Sequence, residues 1–170
     1  NKVKGLNVEF ETYDSIPQTF TAQTFTVIAP DHPLLKKLVE GTKFEKPVLE
    51  FAKKIVAKRL ENKYDGEKDM EGIFTGRYVE NFCGIGRDLP IWVASYVVSD
   101  YGTGIVNCSA HDERDFAFAK KYDIPLHPVL FPKDEKLAQR VKSLEVFYRQ
   151  SDGILHEPRE FKGLRWDEAR

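Results

Sequence analysis

The alternation of apolar and polar positions predicts a chain in which strands outnumber helices. Strands are expected over residues 3–12, 20–29, 73–79, 90–98, 104–109 and 126–131, with an extended segment at 145–149 before a hairpin-type turn at 151–153. From Pro47 to Leu60 the apolar residues instead recur at helical spacing, and that stripe predicts a core-facing helix. Shorter helices are expected over residues 33–41, 112–122 and 133–144.

Strands interrupted by a few helices indicate an α+β fold, with a β-barrel-like core and inserted helices. The pattern contains no repeat, low-complexity tract or linker, so residues 1–170 are expected to form a single domain. The final residues, from Trp166 to Arg170, have the pattern of an N-cap and the first turn of a helix. We therefore expect the chain to have been excised from a larger protein.

Composition and charge narrow the function classes. The chain is 41% hydrophobic and 31% charged, which is typical of a globular protein, and no apolar run has the length that a membrane span requires. The net charge of −1 argues against a general polyanion binder. Cys83 and Cys108 stand outside any C-x-x-C motif and are interpreted as reduced thiols. Together these features favour a cytoplasmic protein without a membrane partner.

The stretch between residues 101 and 115 is the richest in candidate chemistry. Gly102 and Gly104 flank Thr103 before a strand, where glycines make a tight turn or let the backbone approach a ligand. After the strand, the start of a helix carries several polar residues: His111, Asp112, Glu113, Arg114 and Asp115. Asp112 and Asp115 share one helical face, and at least one of them is expected to be an N-cap. The other can hold an ammonium group or orient a water molecule.

Two alternative chemistries at this stretch are weaker. A metal site built from His111, Asp112 and Asp115 lacks a second histidine at ligand spacing. Cys108 lies within an apolar strand, and Ser109 has no G-x-S-x-G context, so neither is expected to be a nucleophile. Upstream, Thr21, Thr24 and Thr26 fit ordinary strand propensity, whereas the loop from Pro17 to Thr19 could line a polar pocket.

These motifs together resemble the editing domain inserted into bacterial leucyl-tRNA synthetases, which are class Ia enzymes. The similarity is strongest at Tyr101-Gly102-Thr103-Gly104 and at His111-Asp112-Glu113-Arg114-Asp115, and the H-D-x-R-D form favours the leucyl over the isoleucyl and valyl branches. Further matches lie at residues 29–33, 71–76, 89–94, 118–122, 152–155, 161–164 and 168–170. The resemblance covers nearly the whole chain.

The resemblance implies hydrolysis of the ester that joins a wrong amino acid, such as norvaline or isoleucine, to tRNA(Leu). Asp115 would bind the α-amino group, Thr19 would keep correct leucine out by its bulk, and Tyr101 would lie beside the terminal adenosine. Further substrate-binding positions carried over are Ser15, Gly102, Thr103, Gly104, Asn107, Ser109, His111 and Asp112. A bound water would attack, assisted by the terminal ribose hydroxyl.

The resemblance also implies partners and cofactors. The expected partners are the 3′ CCA end of tRNA(Leu) and the rest of the synthetase chain, in a monomeric protein. Editing is expected to need no metal or other cofactor, because ATP and Mg²⁺ serve only the synthetic domain that this chain lacks.

The loop before the second strand departs from the family pattern T-T-R-P-D-T. Here it is Asp14-Ser15-Ile16-Pro17-Gln18-Thr19, so an arginine, an aspartate and one hydroxyl are lost, and Asp14 adds a negative charge near an anionic ligand. Asn107 and Ser109 stand where the family has apolar residues, and a more polar pocket binds aliphatic side chains less well. The sequence therefore leaves an alternative: a degenerate domain that binds the tRNA end or serves as a structural module. An unrelated barrel enzyme would require the matches to be coincidence.

Overall fold

The computed structural model describes residues 1–12, 14, 16–65, 70–80 and 85–169. The predicted site residue Ser15, the thiol of Cys83 and the terminal Arg170 lie outside these ranges. The chain divides into two compact units that are interleaved in sequence. Unit 1 comprises Asn1–Tyr13 and Phe25–Asn107, and unit 2 comprises Asp14–Thr24 and Cys108–Arg170.

Unit 1 is built on a four-stranded sheet with the order β2-β3-β1-β4. The strands are β1 (Gln23–Ile28), β2 (Gly72–Val79), β3 (Leu89–Ala94) and β4 (Ile105–Ser109), and the ends of β1 and β4 continue into unit 2. β3 pairs with β1 in parallel and with β2 in antiparallel orientation, so the sheet is mixed. All six residues of β1 are buried, as expected for a strand in the interior of a sheet.

β1 and β4 are neighbours in this sheet. The Ala29 N–H donates to the Gly104 carbonyl at 2.9 Å, and the Thr26 hydroxyl donates to Asn107 Oδ1 at 2.8 Å. Because residue numbers fall along one strand as they rise along the other, we infer that the two strands run antiparallel.

Two helices of unit 1 follow β1. α1 (Leu34–Val39) begins directly after Pro33, and α2 (Glu45–Leu60) buries Val48, Ala52 and Ile55. Near the end of α2, Lys54 and Lys58 donate to the two carboxylate oxygens of Glu71 at 2.9 and 2.6 Å. These hydrogen bonds lower the pKa of Glu71 and tie α2 to the residue that precedes β2.

Unit 2 contains the remaining elements. They are α3 (Glu113–Lys121), β5 (Leu130–Phe131), α4 (Glu135–Lys142) and β6 (Ile154–Leu155), with 3₁₀ turns at Pro17–Ala22 and Arg159–Phe161. β5 and β6 pair antiparallel. A buried hydrophobic cluster of unit 2 consists of Ala22, Val129, Leu130, Val141, Tyr148 and Leu155.

The mixed α and β architecture is confirmed, whereas the barrel-like closure is not, because the described strands form one four-stranded and one two-stranded sheet. In the described ranges no helix is long and apolar enough to cross a membrane. The single-domain prediction stays a prediction.

Four predicted strands are shorter than expected, among them that at 90–98, which ends at Ala94. Residues 3–12 form only isolated bridges, since Gly5 has φ 68° and the Val3 N–H turns back to the Val8 carbonyl. The strand predicted at residue 20 starts at Gln23, because Pro17 opens a 3₁₀ turn. The strand predicted at 126–131 is limited to Leu130–Phe131. A proline at position 128 offers no ladder donor just before it.

Candidate functional site

The predicted site residues divide between the two units. Unit 2 contains Thr19, Ser109, His111, Asp112 and Asp115, and unit 1 contains Tyr101, Gly102, Thr103, Gly104 and Asn107.

The start of α3 separates the roles of the two aspartates that the sequence left open. Asp112 is the N-cap, with extended backbone, and its Oδ1 accepts from the Arg114 and Asp115 amides at 3.0 and 3.2 Å. Asp115 therefore lies in the first turn of the helix without capping it.

Asp115 is a buried carboxylate, with 7% of the residue exposed. Its Oδ2 accepts the Ser109 N–H at 3.2 Å, which joins α3 to the last residue of β4. A carboxylate offers about four lone-pair sites, so this bond is compatible with a further donor. The arrangement suits a charge-assisted hydrogen bond with an ammonium group.

His111 fixes the segment that leads into α3. Its Nδ1–H donates to the Tyr148 carbonyl at 2.9 Å, and its Nε2 accepts from the Val129 and Leu130 amides at 2.9 and 3.2 Å. Only 1% of the residue is exposed. Burial lowers the pKa of His111 to about 4, against a smaller opposing effect of the Tyr148 hydrogen bond, so the ring is neutral at pH 7. Both ring nitrogens thus bind the protein's own backbone.

The loop around Thr19 is held by its own side chains. Both the amide and the hydroxyl of Thr19 donate to the Ile16 carbonyl, at 3.1 and 3.0 Å, and the residue is 2% exposed. Asp14 Oδ1 accepts the Ile16 N–H at 2.9 Å, while Oδ2 accepts from Gln23 Nε2 at 2.9 Å. The negative charge that the sequence places here is therefore engaged by two donors of the same segment.

Three buried polar atoms of this segment have no hydrogen-bond partner within the described part of the chain: Gln18 Oε1, Thr21 Oγ1 and Thr24 Oγ1. Continuing the antiparallel register of β1 and β4 places Thr24 opposite Ser109, whose amide binds Asp115. A buried polar atom without a partner costs about 1–3 kcal/mol, and a ligand or a water molecule is the usual explanation. The segment thus offers polar groups that a ligand could satisfy.

The glycine-flanked turn of unit 1 is exposed at its tip. Tyr101 is 73% exposed, and Gly102 and Gly104 adopt φ values of 60° and 69°, which favour glycine. The Thr103 hydroxyl donates to the Ile105 carbonyl at 3.1 Å, and its own carbonyl lies 3.1 Å from His32 Nε2. These positive φ values agree with the tight turn that the glycines predict, and the approach of this backbone to a ligand stays a prediction.

Asn107 is engaged inside unit 1. Its Oδ1 accepts from the Thr26 hydroxyl, and its Nδ2 donates to Asn1 Oδ1 at 3.1 Å. The polar residue that replaces an apolar one in the family pattern therefore has protein partners. Across the described residues, no three His, Cys, Asp or Glu side chains come together as a metal-binding group.

Comparison with known proteins decides the family. A family model described as "Leucyl-tRNA synthetase, editing domain" matches residues 1–170. The chain belongs to the leucyl-tRNA synthetase editing-domain family. The resemblance carried by the Y-G-T-G and H-D-x-R-D motifs is thereby confirmed.

Relatives of this editing domain include two leucine–tRNA ligases. The protein of Oleidesulfovibrio alaskensis is 38% identical over 170 residues, covering 99% of this chain and 20% of the relative. That of Desulfotalea psychrophila is 34% identical over 181 residues, covering 99% and 21%. The editing domain thus spans about a fifth of the length of these relatives.

A solved structure shares the fold of this editing domain. It is the LeuRS of Agrobacterium radiobacter K84 in a ternary complex with tRNA and LeuAMS. The TM-score is 0.63 at 25% identity, over 84% of this chain and 17% of that one.

Sequence reasoning missed several contacts that shape the editing domain. The bonds from Gln23 to Asp14 and from Gln18 Nε2 to the Trp166 carbonyl join distant positions, and no local pattern marks them. The backbone partners of His111 were likewise unpredicted. The individual substrate roles of the site residues stay predictions.

Proposed function

We propose that this chain hydrolyses the ester linking a wrong amino acid to the 3′ end of tRNA(Leu). One observation carries the proposal: Asp112 caps α3, so the buried carboxylate of Asp115 at the same helix start is not needed for capping. A carboxylate accepts more than one donor, and an ammonium group is a donor of complementary charge. The α-ammonium group of an aminoacyl ester is such a ligand.

In the proposed reaction a water oxygen attacks the acyl carbon of the ester. The bond from that carbon to the ribose oxygen breaks, and the ribose oxygen takes up a proton. Asp115 orients the substrate through its ammonium group, and the neighbouring ribose hydroxyl assists the attack. This chemistry invokes no metal or cofactor; ATP and Mg²⁺ belong to the synthetic reaction elsewhere in a synthetase.

In this proposal the volume of the Thr19 side chain keeps leucine out of the site. Its hydroxyl is already bonded to the Ile16 carbonyl, so its bulk is what excludes the γ-branched side chain of leucine. Tyr101 and the backbone of residues 102–104 bind the terminal adenosine, together with Ser15. Asp115 and its helix are held in place by hydrogen bonds between side chains and backbone amides that involve His111, Asp112 and Ser109.

The proposed partners follow from the same reaction. They are the 3′ CCA end of tRNA(Leu) carrying a noncognate amino acid and the remainder of a synthetase chain. We propose a monomer that works in the cytoplasm.

A second candidate is a degenerate domain that binds the tRNA end without hydrolysis. The observation favouring it is the altered loop, in which Ile16 and Gln18 replace an arginine and an aspartate and Gln18 Oε1 is buried without a partner among the described residues. Such a loop could hold the substrate in an unreactive position.

Deacylation of norvalyl- and isoleucyl-tRNA(Leu) separates the two candidates. The assay compares this chain, alone and within a leucyl-tRNA synthetase, with its Asp115→Asn and Glu113→Gln variants. Asp115→Asn removes the charge but keeps an acceptor for the Ser109 amide, and Glu113→Gln neutralises an exposed acid in the same turn. Hydrolysis lost only in Asp115→Asn supports the proposal. Release at the spontaneous rate by the unmodified protein in both contexts refutes it.

A further inference from the structure

The ten residues between β3 and β4, numbers 95–104, form a loop that we term the Tyr101 loop. Ser95 and Val97 at its start and Gly104 at its end are buried, whereas residues 100–103 at its tip are exposed. The tip presents the aromatic ring of Tyr101, which has 73% exposure. A loop without regular structure needs specific anchors to hold such a ring in one place.

Arg59, in the last turn of α2, is the anchor at the start of the loop. Its Nη2 donates to the carbonyls of Ser95 and Val97 at 2.6 and 2.7 Å. The guanidinium also lies over the Tyr64 ring, 5.4 Å from its centroid, and the side chain is 19% exposed. The guanidinium, a rigid and planar cation, thus binds two carbonyls at the start of the loop.

A second set of contacts continues from Arg59 to the far side of the loop. Asp31 Oδ1 lies 3.9 Å from Arg59 Nη1, and Asp31 Oδ2 accepts from the Ser99 hydroxyl at 2.8 Å. A Cβ added at Gly104 would stand 3.0 Å from Ser99 Cα and 2.9 Å from His32 Cδ2. The loop therefore closes on itself at Ser99 and Gly104, and Arg59 is linked to Ser99 through Asp31.

We propose that Arg59 is a positioning residue that orders the Tyr101 loop so that the Tyr101 ring stacks on the terminal base of the tRNA. The inference rests on the proposed function for the identity of the ligand, and on the contacts above for the role of Arg59. A stacking surface contributes more to affinity when its orientation is fixed before binding, because less conformational freedom is then lost. Arg59 acts on substrate through Tyr101 and does not touch it.

The test combines a double-mutant cycle on ligand affinity with a hydrogen-exchange measurement that needs no ligand. The probe is adenosine carrying norvaline through a non-hydrolysable amide at the 2′ position, titrated calorimetrically into the chain. Arg59→Lys keeps the charge but loses the planar fork, and we expect the Kd to rise roughly tenfold. Arg77→Lys is the matched control, because Arg77 Nε also donates to a backbone carbonyl of unit 1, that of Leu38 at 2.8 Å.

Coupling to Tyr101 distinguishes positioning from general destabilisation. In the Tyr101→Ala background, Arg59→Lys should leave the Kd within about twofold, because the residue through which it acts is gone. An equal rise in both backgrounds, or no rise in either, overturns the proposal.

Hydrogen exchange of the amides at residues 98–103 gives the second readout. Arg59→Lys should speed their exchange at least roughly tenfold relative to Arg77→Lys. Unchanged exchange overturns the positioning role whatever the ligand. If exchange speeds up but the unmodified chain does not bind the probe, the proposed function and the stacking step fail while the ordering of the loop by Arg59 stands.

Discussion

Acidification should destabilise this protein well before its carboxylates titrate, because His111 is buried as a neutral ring. The pKa of His111 is lowered from 6.5 to about 4 by burial, so the unfolded chain binds a proton over a range in which the folded chain does not. A depressed histidine pKa makes stability fall as pH drops through 6.5 and stop falling below the folded pKa. The expected window of loss is therefore pH 6.5 to 4.

The size of this effect follows from the two pKa values. Each pH unit below 6.5 costs about 1.4 kcal/mol, so the loss is about 2 kcal/mol between pH 7 and 5 and about 3 kcal/mol by pH 4. Glu71 acts in a lower range. Its pKa is lowered from 4.5 by Lys58 and Lys54, so its contribution is lost only as pH falls below about 4.5. Measurements between pH 7 and 5 avoid the range of Glu71, and comparison with a His111 variant assigns the change to that residue.

Urea denaturation at pH 7, 6 and 5 measures this loss, with His111→Gln as the comparison. The variant should start less stable, because glutamine matches the three backbone partners of His111 poorly, but its stability should fall by about 2 kcal/mol less over the window. An NMR titration of the unmodified protein checks the same claim directly. Parallel stability curves, or a His111 ring resonance that titrates near pH 6.5, would refute the reasoning.

Three further outcomes are expected. Thr19→Ala should permit cleavage of leucyl-tRNA(Leu), whereas Thr19→Val, which keeps the bulk, should not; equal cleavage by both variants would remove Thr19 from discrimination. Asp112→Ala should lower the free energy of unfolding by about 1 kcal/mol through loss of the α3 cap, as measured in urea, and an unchanged value would contradict the capping role. Gly104→Ala should cost at least about 1 kcal/mol in the same assay, because φ is 69° and Ser99 Cα leaves no room; a neutral result would show that the loop can shift.

The sequence predicted those features that depend on residues close together in the chain, such as helix starts and apolar spacing. The helix start at Asp112 was recognisable because an acidic cap followed by further acids fits an N-terminus, and Asp112 is the cap. α2 was predicted from its apolar spacing and runs from Glu45 to Leu60. The Y-G-T-G and H-D-x-R-D motifs pointed to the family that the comparisons confirm.

The missed features depend on contacts between distant positions. The strand pattern of residues 3–12 gave way to a turn at Gly5, where a positive φ ends the extended run. Neither ring nitrogen of His111 could be assigned, since its partners at Tyr148, Val129 and Leu130 are far away in sequence. Likewise Arg59 looks like an ordinary basic residue near a helix end until the carbonyls it binds are known.

The hydrogen bond between Asp14 and Gln23 couples the evolution of these two positions. Asp14 stands where the family pattern has threonine, and its carboxylate is accommodated by an amide nine residues along. A threonine hydroxyl at position 14 would be too short to reach that amide in the same way, and an aspartate there without the amide would leave one carboxylate oxygen without this donor. In relatives the two positions should therefore change together, so that aspartate at position 14 accompanies a donor side chain at position 23.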